Sequence, residues 1–277
     1  MKKKKMIVAV VMMLLWVSVV RTPEPVHAVS EGSLRVYNVL GQGALTVLRG
    51  VIQGEVKSFK DAGRMFLYGS AAGYGFFEAK RMVGKGHITG GYLLANLAAS
   101  VSENVSWGES PLSHISYVLG PARLRVATPL ARKGGPILDV TVSPADVYAL
   151  FYSLKYADRL TFKNGILSFT AAESRSEGVR GWMYGVFPTV VDGKPDHVFN
   201  HEIVHVVQYL QAMSISPQPL VSQSLYDKDD SHWFRFSGLG FNTMKLMHDL
   251  AVKSFQSYDQ EWLEIEAYAL APETAGE

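Results

Sequence analysis

The chain has 277 residues, 48% of them hydrophobic and 19% charged. That is enough to bury a sizeable core, and too apolar for a disordered polymer. The net charge is only +2, and residues 2–5 are all lysine; the rest is slightly acidic, which removes the electrostatic case for nucleic-acid binding. Cysteine is absent. Disulfides, thiolate ligands, a cysteine nucleophile and an acylated cysteine anchor are therefore excluded, and a transition metal would have to be held by His, Asp or Glu.

The N-terminus has the order of an export signal. The lysine run is followed by an apolar stretch over residues 6–20 and by Val26-His27-Ala28, which resembles a small-residue cleavage site. Residues 1–28 are expected to be a signal peptide and the protein to be periplasmic or extracellular. The alternative is an uncleaved N-terminal anchor, although 15 apolar residues fall short of the ~20 that span a bilayer.

Residues 29–110 are rich in Gly and Ala, and periodicity predicts helices over 36–52, 58–83 and 89–105. The small residues between Gly69 and Gly75 would permit close helix packing. Arg64, Glu78, Lys80 and Arg81 interrupt the apolar runs, so a soluble helical layer is expected rather than a membrane hairpin; peripheral membrane association stays open. Gly84-Lys85-Gly86 is too short for a phosphate loop.

Residues 111–277 are expected to form one α+β unit. Strands are predicted at 114–119, 123–128 and 137–142. Ser143-Pro144-Ala145-Asp146 then opens a helix reaching about residue 156, with Ser143 as N-cap and Pro144 at the first helical position. Strands at 160–163 and 166–170 flank Asn164-Gly165, a strong hairpin signal because both turn positions need positive φ. A further strand is expected over 181–190, completing a mainly antiparallel sheet. Helices are expected from Asp196 to about residue 211, over 241–254 and over 258–271.

The first of these helices carries His201-Glu202-Ile203-Val204-His205. Spacing of i and i+4 puts both imidazoles on one helix face, able to share one metal ion. Zinc suits two neutral imidazoles plus a carboxylate, with a fourth position open for water. Glu202 can reach that water as general base without touching the metal. On the helical wheel Phe199, Ile203, Val206, Val207 and Leu210 share one side. His201, Glu202, His205, Gln208 and Tyr209 share the other, and no Lys or Arg stands among them.

The third ligand has to come from elsewhere. Gln208 and Gln211 stand where a metzincin would carry Gly and His, which excludes that class. In residues 262–270, Glu266 falls at the centre of an arc of Trp262, Leu263, Ile265, Ala269 and Leu270. Glu261, Glu264 and Tyr268 fall opposite and are expected to look outward. A carboxylate in a buried face has to be paired or metal-bound, so Glu266 is the expected ligand; its alternative is an ion pair with an Arg or Lys of the sheet region.

The run Val198-Phe199-Asn200-His201-Glu202-Ile203-Val204-His205-Val206-Val207 resembles the active-site helix of the zincins. Glu266-Ala267 resembles the glutamate helix of the gluzincins, the thermolysin-like class. The resemblance covers about the last 90 residues and implies a zinc peptidase acting on peptide or protein substrates. His201, His205 and Glu266 would hold the metal and Glu202 would be the base. Leu270 departs from it, since many gluzincins have an acidic residue there. The chain as a whole is similar to a group of uncharacterised secreted bacterial proteins.

Other residues carry weaker signals. Tyr226-Asp227-Lys228-Asp229-Asp230-Ser231-His232 is read as a solvated loop, with a calcium loop, an Asp ligand or His232 as transition-state stabiliser as its sharper readings. His197 is a rim residue, and His87, His114 and His248 are structural. Trp182, Trp233 and Trp262 are read as core or groove-lining residues. The expected fold is α+β: a helical N-terminal layer, a small antiparallel sheet and a zincin-like helical C-terminal part. The expected activity is zinc-dependent peptide hydrolysis; its rival is a non-catalytic exported envelope protein with a structural or vestigial zinc site.

Overall fold

A computed structural model describes residues 29–131, 137–174, 179–194, 196–215, 234–239 and 262–271. The expected signal peptide, the 226–232 segment with His232, Trp233, His248 and the helix expected over 241–254 lie outside these residues.

Three helices come first: α1 (Glu31–Ile52), α2 (Phe59–Gly84) and α3 (Ile88–Ser106). The Ser30 side chain caps α1 by accepting the Ser33 N–H. At the start of α2 the Ser58 hydroxyl oxygen accepts the Asp61 N–H at 3.2 Å, while the Asp61 carboxylate accepts the Ser58 hydroxyl and the Lys57 N–H. Such caps satisfy backbone donors that have no partner inside the helix. Close packing of α1 on α2 depends on glycine: a Cβ on Gly73 would overlap the Asn38 carbonyl oxygen. The packed face of α1 is unusually polar, with Asn38, Gln42, Thr46 and Arg49 all buried. Among the described residues no helix is long and apolar enough to cross a membrane.

The chain continues through β1 (His114–Leu119), β2 (Ala122–Ala127), β3 (Leu138–Val142), α4 (Pro144–Tyr156), β4 (Arg159–Lys163), β5 (Ile166–Ala171), β6 (Gly181–Tyr184) and β7 (Phe187–Val191). It then forms α5 (Asp196–Ile215), β8 (Phe234–Leu239) and α6 (Trp262–Leu270). Ser143 caps α4 with Pro144 in its first turn, as its sequence dictates. Asn164 (φ 57°) and Gly165 (φ 82°) make the β4–β5 hairpin turn.

The architecture is mixed helix and sheet, as expected, but the strands form two sheets rather than one. The first has the order β1-β2-β3-β8, with β8 parallel to β3; the second has the order β4-β5-β7-β6. The stretch expected as a single strand over 181–190 is a hairpin, with Tyr184 opposite Phe187 and Gly185 turning at φ 57°. The hairpin folds β7 back between β6 and β5, so β7 runs parallel to β5 and β6 stands at the sheet edge among the described residues.

Helix α5 occupies the centre of the molecule. Ile203, Val204, Val206, Val207 and Leu210 join a core with Phe76 of α2, Ala95 of α3, Phe169 of β5 and Phe187 of β7. Each of the Ile, Val, Leu and Phe side chains contributes about 1.5–3 kcal/mol by leaving water. The opposite side of α5 is buried as well, because α1, α2 and α6 cover it.

Candidate metal centre

One helical turn separates His201 and His205, and their rings stand edge to face with centroids 4.8 Å apart. Their Nε2 atoms are 3.1 Å apart. Glu264 of α6 completes a triangle. Its Oε2 lies 3.4 Å from His201 Nε2 and its Oε1 lies 3.2 Å from His205 Nε2. Ligand atoms bound at ~2.0–2.1 Å to a tetrahedral ion stand about 3.3 Å apart; the two imidazole nitrogens are about that far from each other and each from one of the two Glu264 oxygens, and one donor atom from each residue lies within 4.8 Å of the other two. All three residues are buried, and the group can hold a metal ion.

The electrostatics agree with the geometry. Burial works against a charged His205. The hydrogen bond and charge of Glu264, the charge of Glu202 and the contact with Gln208 outweigh it and raise its pKa to about 9. The cluster thus attracts positive charge, here in the form of a proton.

Glu202 is buried beside the cluster. Its side chain runs against Gly181 at the start of edge strand β6, where a Cβ would come 2.9 Å from Glu202 Oε1 and 3.0 Å from its Cγ. Glycine at 181 therefore leaves the room that Glu202 occupies.

The structure corrects the expected third ligand. Glu266 does not face the imidazoles. Lys80 Nζ donates to both its carboxylate oxygens at 2.7 Å, Asn38 Nδ2 donates to Oε1 at 2.6 Å and Gln208 Nε2 donates to Oε2 at 2.9 Å. Burial would raise the Glu266 pKa, but Lys80, Gln208 and Asn38 hold it below the ordinary value. The requirement that a buried carboxylate find a partner is met here by a lysine of the helical layer, not by a metal and not by the sheet. Glu264, expected to look outward, is 6% exposed and sits at the histidines. The residue through which α6 was matched to the gluzincin pattern is thus not the one at the site.

Tyr268 follows Glu264 by one turn, and its ring packs 4.7 Å from that of His201. The helical wheel places it on the Glu264 face, but that face is not the solvated one expected. A usable signal stands in α2: Lys80 lies four residues after Phe76 and three before Val83, on the buried stripe of that helix. His201 Nδ1 is buried without a hydrogen-bond partner among the described residues. His114 hydrogen-bonds Glu109 at 3.0 Å, and His87 precedes α3 at its cap.

Comparison with protein-family models, with curated proteins and with solved structures finds no match to this chain.

Proposed function

We propose that the cluster binds zinc and that this exported protein hydrolyses peptide bonds. The observation that carries the proposal is the triangle of His201 Nε2, His205 Nε2 and a Glu264 oxygen, with Glu202 on the same helix beside edge strand β6. Two imidazoles and one carboxylate, in a chain without cysteine, are a donor set suited to zinc. When bound, zinc supplies an acidified water and polarises a carbonyl oxygen.

This chain's own residues do the rest. His201, His205 and Glu264 would hold the ion. Glu202 accepts the proton of the attacking water and passes it to the leaving amine. Among the described residues β6 stands at the edge of its sheet, a position at which an extended peptide can add as a strand, which favours a peptide over a compact substrate.

Glu202→Gln tests the mechanism. The variant keeps its zinc, because the side chain is not a ligand, and loses ~10²–10⁴-fold in turnover on a peptide library, the usual contribution of general acid–base catalysis. Comparable turnover by both forms ends the peptidase reading.

One observation favours a second reading. His201, Glu202, His205 and Glu264 are each at most 9% exposed, as in a closed structural site. Stoichiometric zinc without turnover on any peptide would select that reading: a non-catalytic envelope protein stabilised by its metal. Export is checked separately by N-terminal sequencing of material from the native host, where the proposal expects the mature chain to begin after Ala28.

A further inference from the structure

The helical layer takes no part in the chemistry above, yet two of its buried side chains reach toward the site. Asn38 of α1 and Lys80 of α2 both end on Glu266, and Glu266 accepts from Gln208. Gln208 in turn contacts His205 Nδ1 at 2.8 Å. The geometry points to a positioning chain, from Lys80 and Asn38 through Glu266 and Gln208 to His205, by which the helical layer sets the metal affinity of the site. This rests on the zinc reading.

The direction of each hydrogen bond is fixed by its neighbours. Gln208 Nε2 has two acceptors, the Leu263 carbonyl and Glu266 Oε2, both at 2.9 Å. Its amide nitrogen therefore faces α6, and its Oε1 faces His205. An amide oxygen only accepts, so Nδ1 of His205 carries a proton, and Nε2, which faces His201 and Glu264, is the nitrogen that would bind a metal in exchange for its own proton. That is the arrangement a metal ligand needs, and the outer hydrogen bond also fixes the ring plane.

Glu266 keeps Gln208 in place only while it is itself held. Four hydrogen bonds converge on its carboxylate, two from Lys80 and one each from Asn38 and Gln208. None of these groups is among the three converging donors. A purely structural ion pair can be exchanged for apolar side chains with little loss of stability, and its exchange would leave zinc affinity unchanged. A positioning chain affects zinc affinity as well.

The test measures zinc dissociation constants of the purified protein by competition with a chromogenic chelator, with thermal unfolding of the zinc-free forms recorded alongside. Gln208→Met removes the acceptor for the Nδ1 proton in a side chain of similar shape. The pair Lys80→Met with Glu266→Met removes the anchor without leaving a lone buried charge. Each should weaken zinc binding ~10–100-fold, the usual cost of losing an outer partner of a ligand histidine.

The exchange Gln208→Glu with Glu266→Gln keeps the net charge and an acceptor facing His205 Nδ1, while the Leu263 carbonyl loses its donor and Lys80 loses one of its two acceptors. The carboxylate brought to position 208 would accept from His205 and from the amide brought to position 266, whose oxygen still faces Lys80. The exchange restores the acceptor for His205 and should bind zinc more tightly than the methionine pair, a comparison that carries the test if Gln208→Met does not fold. Parent-like affinity in folded Gln208→Met or in the methionine pair overturns the proposal, as does an exchange variant that binds no better than the methionine pair. A parent protein that binds zinc no better than His201→Ala removes the metal site itself, a separate outcome.

Discussion

Two clusters of buried charge in this molecule resolve in opposite ways. Glu103 of α3 lies against Arg49 of α1 and Arg123 of β2, all three nearly inaccessible to water. Burial alone would raise the Glu103 pKa; Arg123 and Arg49, with a further contribution from Arg125, reverse this and bring it to about 2. Arg49 also donates to the Ser214 carbonyl at the end of α5. That cluster is closed by its own cations. Around Glu264 the neighbours are two imidazoles and a second carboxylate, Glu202, with no arginine or lysine among the described groups that shift His205. Buried charge is thus not in itself the mark of a site. A candidate site is marked by donors of the metal-binding kind that converge on one point.

Breaking each cluster should have a different readout. The largest effect belongs to Glu264→Ala, which should abolish zinc retention in equilibrium dialysis, since two histidines alone do not complete the usual set of three protein ligands. The loss should exceed the ~10–100-fold expected from a supporting residue. Zinc affinity that survives Glu264→Ala but disappears in Glu266→Ala would reverse the choice between the two glutamates.

Next comes Glu103→Gln. It leaves two arginines buried without their anion and should cost about 3–5 kcal/mol of stability in denaturant unfolding. Zinc stoichiometry should not change. A variant that lost zinc but not stability would erase the distinction between the two clusters.

A third carboxylate sharpens the comparison with the smallest effect. Burial raises the pKa of Asp146 in α4 to about 6; hydrogen bonds with Ser143, Tyr209 and the Val186 amide oppose the rise only in part, and no cation is among the groups that shift it. The folded state therefore binds a proton that the unfolded state has already released between about pH 3.8 and 6. Stability linked to this proton is present below that window and lost as pH rises through it. Asp146→Asn should accordingly gain on the parent as pH rises from ~4 to ~7.5, by on the order of 2–3 kcal/mol, read from melting curves. A difference that is flat with pH would show that Asp146 is already compensated.

Much of this is legible in the sequence, for local reasons. The caps at Ser58 and Ser143, the Asn164-Gly165 turn and the apolar periodicity of α1 to α3 act within a few residues, and the observed elements follow them closely. The i, i+4 spacing of His201 and His205 likewise fixes their shared face whatever surrounds the helix. The β6–β7 hairpin escapes such a reading because its turn at Gly185 offers a single glycine between two apolar strands.

The choice between Glu264 and Glu266 lies beyond the sequence. Two residues apart on a helix, they point about 160° away from each other, and the wheel establishes that only one can face the histidines. It cannot say which, because that inference assumes one buried face and one wet face. Helix α6 is buried on both: one side meets α5 and the other meets α1 and α2. Lys80 and Asn38 lie 186 and 228 residues from Glu266 along the chain, and only the packing of the helical layer brings them to it. Residue types and local spacing therefore determined that this chain has two histidines on one helix face, Glu202 next to the first of them and a buried glutamate to offer. Tertiary structure decided which glutamate completes the set, since a buried carboxylate takes whichever partner the fold places within reach.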